Sequence, residues 1–132
     1  VDTATARTLY EQLSAAIAAG LVASCHDCSD GGLGAALAEC AFAGGYGMEL
    51  DLSPLGNLDP AVLLFSESQS RFVVTVAPEF HGPFEQALAG SSLYRLGEVT
   101  ANARLCVLHG ETTFVDAALE ELKAAWQAPL RL

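Results

Sequence analysis

Basic residues are scarce in this chain. Six Lys and Arg face sixteen Asp and Glu over 132 residues, a formal net charge of -10. That balance argues against a nucleic-acid backbone or an anionic membrane surface as partner. Long hydrophobic runs are missing too, and no apolar stretch approaches the ~20 residues of a membrane span. The start, Val1-Asp2-Thr3-Ala4-Thr5, has no basic region and no apolar signal segment, so no targeting signal is read. Cysteine is sparse: Cys25, Cys28, Cys40 and Cys106 are too few and too uneven for a secreted disulfide framework. A cytoplasmic location is therefore expected. The chain also lacks an initiator Met, which predicts a processed chain or a piece of a longer one.

What is present suits one compact domain over residues 1–132, with a hydrophobic fraction of 52%. Helical spacing of Leu9, Leu13, Ala16 and Ile17 predicts a helix over Thr5 to Leu21, closed by Gly20. Val22 to Cys25 reads as a short buried strand. Ser29 or Asp30 is expected to cap a helix from Gly31 to about Ala43, with Leu33, Ala36, Leu37, Cys40 and Ala41 inward. Gly44 and Gly45 end it. Tyr46 to Leu52 alternates as a half-exposed strand, with Met48, Leu50 and Leu52 on one face.

Ala61 to Phe65 fits either a helical turn or a strand edge. Arg71 to Ala77 is the strongest strand, and Phe84 to Leu88 carry a short helix after Pro78. Ser92 to Val99 and Arg104 to His109 read as two strands and a candidate hairpin, with Gly110 and Glu111 as the exit turn. Phe114 to about Ala128 reads as a closing helix with Phe114, Ala118, Leu119, Leu122 and Trp126 inward. The expected fold is α/β (α+β), a mixed sheet of about four to six strands packed with helices.

Chemistry concentrates in Ser24-Cys25-His26-Asp27-Cys28-Ser29-Asp30-Gly31-Gly32-Leu33. A strand, an acidic-glycine turn and a helix start are where α/β proteins place phosphates and their metal ions. Cys25 and Cys28 form a C-x-x-C, but zinc needs four ligands and no second such pair exists. A redox dithiol is the other sharp reading. Small buried cysteines flanking a strand end is the favoured one. Asp27 and Asp30 suit Mg²⁺ beside free helix-start N–H groups, or an Asp cap on a Gly turn; the residues alone leave both open. His26 reads as a hydrogen-bonded histidine at a strand end rather than an acid–base group. A second polar cluster, Ser66-Glu67-Ser68-Gln69-Ser70-Arg71, suits either a polar ligand or a solvated turn with a Glu67–Arg71 pair.

Four segments together resemble a known family. They are His26-Asp27-x-Ser29-Asp30-Gly31-Gly32-Leu33, Ala36-Leu37-Ala38-Glu39, Leu64-Phe65-Ser66-Glu67-Ser68-Gln69-x-Arg71-Phe72-Val73-Val74 and Leu96-Gly97-Glu98-Val99-Thr100. In this order and spacing they are similar to the phosphoribosylformylglycinamidine synthase family. More narrowly, they resemble the C-terminal domain of its synthetase part, of the aminoimidazole ribonucleotide synthetase C-terminal type. The likeness runs to the closing Leu122-x-x-x-Trp126 helix.

The resemblance implies a step of purine biosynthesis. The amide oxygen of formylglycinamide ribonucleotide is activated by ATP and Mg²⁺, and ammonia supplied from glutamine by a glutaminase domain or subunit displaces phosphate. ATP or ADP and Mg²⁺ are the implied cofactors of the full enzyme. The implied partner is an ATP-binding-type domain of the same enzyme. In the first half of the synthetase, the counterpart of Glu67-Ser68-Gln69 touches substrate and that of Asp27 sits near Mg²⁺. The Ser-Asp-Gly-Gly turn is the version of the second half, whose pocket is auxiliary. Ser29, Asp30, Gly31, Gly32, Glu67, Ser68, Gln69 and Arg71 are then expected to line that pocket, with Asp27 as a candidate Mg²⁺ ligand and no catalytic residue assigned. The 132 residues alone are expected to be inactive, and an apolar face left open at the docking side favours self-association. The alternatives are a stand-alone nucleotide or phosphometabolite-binding module and a metal or redox protein built on Cys25 and Cys28.

Overall fold

The computed structural model describes residues 2–130. Val1, Arg131 and Leu132 lie outside the described residues, and with them the ends of the expected 1–132 domain. Fourteen elements run along the described residues, three of them single 3₁₀ turns. Helix α1 spans Thr3–Ala18, β1 Ser24–Asp27, α2 Gly32–Gly44, β2 Gly47–Asp51, α3 Pro60–Phe65 and β3 Phe72–Thr75. Then come α4 (His81–Ala87), β4 (Gly97–Thr100), β5 (Arg104–His109), β6 (Thr112–Ala118) and α5 (Leu119–Gln127). The fold is mixed α/β, as the sequence predicts, but its six strands form two sheets. One is a two-stranded antiparallel ribbon, β1–β3, and the other has the order β4-β2-β5-β6.

Local chemistry explains most of these elements. Asp2 caps α1 by accepting from the amides of Ala4 and Thr5. Asp59 accepts from the amide of Ala61, and Pro60 opens α3 with its backbone already in helical geometry. This resolves the Ala61 to Phe65 segment as helix. Gly45 adopts the left-handed conformation that ends α2.

Two hydrophobic cores result. The larger joins α2 (Leu33, Ala36, Leu37, Ala41) to Met48, Leu50 and Leu52, to Leu63 and Leu64 of α3, and to Leu105 and Val107 of β5. The smaller joins Leu13 and Ala16 of α1 to Phe84 and Leu88. Strand β3 serves both. Val73 packs on the larger core, while Phe72, Val74 and Val76 pack on the smaller, as alternation along a strand requires.

Several expectations are corrected. Strand β1 begins at Ser24 rather than Val22, because its partner is Phe72–Thr75 and the register ends with Asp27 opposite Phe72. Val22 instead packs on the α1–α4 core. The residues before Gly97 are not strand, and β4 and β5 do not form a hairpin. Strand β2 lies between them, antiparallel to β4 and parallel to β5. Thr112–Ala118 is strand rather than helix, joined to β5 by the Gly110-Glu111 turn. Its β-branched Thr112, Thr113 and Val115 favour a sheet edge, and Phe114, expected inward, is exposed. The helix begins only at Leu119. Trp126, also expected inward, is half exposed.

Leu52 is fully buried, and its amide donates to the carbonyl of Leu108 at 2.8 Å. Leu52→Ala should lower unfolding free energy by about 2–5 kcal/mol. Urea denaturation checks this, with the midpoint falling and the slope unchanged.

Candidate functional site

Strand β1 delivers His26 and Asp27 to the end of the ribbon, and the chain must then turn into α2. The sequence offers Ser29 or Asp30 as the cap of that helix, but neither takes that place. The position before α2 is Gly31, left-handed at φ 78°, with no side chain of its own turn capping the helix. Gly32 follows at φ 64°. Two successive left-handed residues suit glycine and little else.

Close packing adds a second demand. A Cβ on Gly32 would lie 2.6 Å from the carbonyl oxygen of Ser66 and 2.8 Å from that of Leu64. The loop after α3 therefore rests directly on the backbone of the turn. The same loop supplies the cap that Ser29 and Asp30 do not. Glu67 Oε1 accepts from the amide of Gly31 at 2.9 Å, and a carboxylate there also meets the positive end of the α2 dipole. The Glu67–Arg71 pair that a solvated turn would allow is not formed among the described residues. Arg71 donates instead to the backbone carbonyls of Ser66 and Ser68, the latter at 3.2 Å. The amide of Cys28 donates to the carbonyl of Arg71 at 2.9 Å. The two sequence clusters thus form one zipped unit.

Around it lies an open polar cavity of about 230 Å³ lined by His26, Asp27, Ser29, Asp30, Ala36 and Glu39. Ser29 donates its hydroxyl to Asp27 Oδ2. That bond, with the backbone amide of Asp27, holds the Asp27 carboxyl below the usual carboxylate range. The Nδ1 atom of His26 lies 2.6 Å from the Asp27 carbonyl oxygen, and Nε2 lies 2.8 Å from Glu39 Oε2. His26 is the hydrogen-bonded strand-end residue that the sequence suggests. Of the residues expected to line one pocket, Ser29 and Asp30 line this cavity, whereas Gly31, Gly32, Glu67, Ser68, Gln69 and Arg71 do not, and Ser68 and Gln69 are exposed.

Glu39 and Trp126 belong to this neighbourhood although the sequence reading assigned them no role. The indole Nε1 of Trp126 donates to Glu39 Oε1 at 2.8 Å. The available signal was Glu39 itself, an acidic residue beside the apolar stripe of α2.

The cysteines divide. Cys28 is buried in the larger core, as expected, whereas Cys25 is exposed on β1 opposite Val74. All four are free thiols. Desolvation pushes the Cys25, Cys28 and Cys40 thiols up, the opposite of what a thiolate ligand or nucleophile requires. Among the described residues no three His, Cys, Asp or Glu side chains converge as a metal-binding set.

Comparison with known proteins then places the chain. The family model described as AIR synthase related protein, C-terminal domain, matches residues 1–109. The chain belongs to this family. It is 40% identical over 114 residues to the phosphoribosylformylglycinamidine synthase subunit PurL of Synechococcus sp. (strain CC9902), and 42% identical over 116 residues to that of Moorella thermoacetica. Each match covers 84% of this chain and 15% of the relative, so the chain spans about a seventh of those proteins. Among solved structures it is similar to T. maritima PurL complexed with FGAR (TM-score 0.79, 22% identity), over 89% of this chain and 20% of that one. T. maritima PurL complexed with ATP gives a TM-score of 0.77 at 22% identity, over 87% of this chain and 21% of that one. These structures share the fold of this AIR synthase-related domain.

The depressed Asp27 carboxyl has a signed consequence. Its folded value lies below its unfolded one, so its contribution to stability is present above the ordinary carboxylate range. That contribution is lost as pH falls through the folded value. Ser29→Ala should return Asp27 toward the ordinary range and flatten this part of the acid dependence. Carboxyl NMR titration of the variant against the unaltered chain checks it.

Proposed function

We propose that this chain is the C-terminal domain of the second half of a phosphoribosylformylglycinamidine synthase. The whole enzyme would carry out the ATP- and glutamine-dependent conversion of formylglycinamide ribonucleotide to formylglycinamidine ribonucleotide. Residues 1–132 would form one domain that lines an auxiliary half-site against an ATP-binding-type domain. A glutaminase domain or subunit would supply ammonia, and the enzyme would work in the cytoplasm. Support comes from the family, from relatives named as a subunit of that synthase, and from a related structure named PurLQS from Thermotoga maritima. No helix among the described residues is long and apolar enough to cross a membrane.

One observation carries the auxiliary reading: two amides of the glycine turn and the nearby arginine already have partners inside the chain. The amide of Gly31 is taken by Glu67, that of Gly32 donates to the Ser29 carbonyl at 3.0 Å, and Arg71 is turned onto backbone carbonyls. Ser29 and Asp30 would then stand in the wall of a half-site, with Gly31, Gly32, Glu67 and Arg71 as the frame behind it and Ser68 and Gln69 exposed on the loop.

The donor set fits Mg²⁺ only in part. Mg²⁺ is held by one or two carboxylates plus phosphate oxygens and water, and Asp27 is the ionised, solvent-facing carboxylate that would face it. When bound with ATP, Mg²⁺ would neutralise phosphate charge. This chain's share is to orient the Asp27 carboxylate through the Ser29 hydroxyl.

Two measurements on the 132-residue chain test the proposal. With formylglycinamide ribonucleotide, ammonia, ATP and Mg²⁺, no amidine should form, and calorimetry with ADP and Mg²⁺ should give no binding at micromolar concentration. Turnover would overturn the auxiliary role. Tight binding by the chain alone would favour a stand-alone nucleotide-binding module instead.

A further inference from the structure

Glu39 links three elements around the site. It stands on α2, about two turns beyond Gly32. Its Oε2 lies 2.8 Å from Nε2 of His26 on β1, and its Oε1 accepts from Nε1 of Trp126 on α5 at 2.8 Å. His26 continues the chain of contacts, with Nδ1 2.6 Å from the carbonyl oxygen of Asp27. A continuous path of short polar contacts therefore runs from the last helix to the residue that opens the turn. Bonds to a carboxylate are stronger and more directional than neutral ones. The direction of the Trp126 bond is fixed, since an indole N–H only donates.

We infer that Glu39 and Trp126 are positioning residues through which α5 sets the orientation of the Asp27–Gly32 turn. The inference rests on the reading above only in treating that turn as the half-site. Trp126 lies beyond residues 1–109, the part matched by the family model. The input to the turn thus comes from a segment outside the matched part, while His26 and Glu39 lie within it. A contribution from packing alone is separable. The Trp126 ring also sits 5.7 Å from that of Phe42, and Phe at position 126 keeps a ring there while removing the donor.

The test reads the turn directly by NMR on the 132-residue chain, with no ligand and no turnover. In the unaltered chain the Trp126 indole proton should exchange at least about tenfold more slowly than a free indole; exchange at the free rate overturns the inference. Trp126→Phe should shift the amide signals of Asp27 to Gly32 while those of the β5–β6 hairpin stay in place. Glu39→Ala should shift the same signals further, and Glu39→Gln, which retains one acceptor oxygen, should fall between. Unchanged 27–32 signals in Trp126→Phe would overturn the positioning role, even with the indole proton protected. None of these readouts depends on nucleotide binding or amidine formation. A failure of the proposed function and a failure of this inference are therefore distinguishable.

Discussion

The start of α2 depends on a contact between two backbones. Gly32 sits at φ 64° with the carbonyl oxygens of Leu64 and Ser66 where a side chain would be. Any other residue meets both a left-handed backbone penalty and a clash with atoms that cannot rotate away. Because α2 supplies Leu33, Ala36, Leu37 and Ala41 to the larger core, the angle at which it leaves Gly32 governs how that core closes. Leu63 and Leu64, from the helix that feeds the opposing loop, are buried in the same core. The polar turn and the apolar core are consequently held by the same few residues.

This arrangement bears on chemistry. A glycine-rich helix start is ordinarily an open anion site. Here Glu67 brings a carboxylate to it from across the site, and the turn closes on itself. Asp27, at the other end of the turn, stays ionised and open to solvent. The surface beside the turn is therefore acidic and pre-formed. That suits a part of a larger ligand site better than a complete one.

Much of this was legible in the sequence because the signals were local. The apolar stripe of α2, the Gly44-Gly45 stop and the alternation of Met48, Leu50 and Leu52 all rest on short-range patterns. The failures were of two physical kinds. Pairing order is non-local, so nothing in Thr100-Ala101-Asn102 signals that β2 will separate β4 from β5. The β6–α5 boundary lies between Ala118 and Leu119 with no Gly, Pro or capping side chain, and the helical spacing of Phe114, Ala118 and Leu122 runs straight through it. At the site, the order of the clusters gave no hint that Glu67 would reach Gly31, 36 residues away, instead of pairing with Arg71.

Amide hydrogen exchange at Gly31 reads whether Glu67 closes the α2 start from across the site. The Gly31 N–H should be protected in the unaltered chain. In Glu67→Ala that protection should be lost, while Leu50 and Val107 in the sheet keep theirs. A Gly31 amide that exchanges freely in the unaltered chain, or that keeps its protection without Glu67, would contradict this closure.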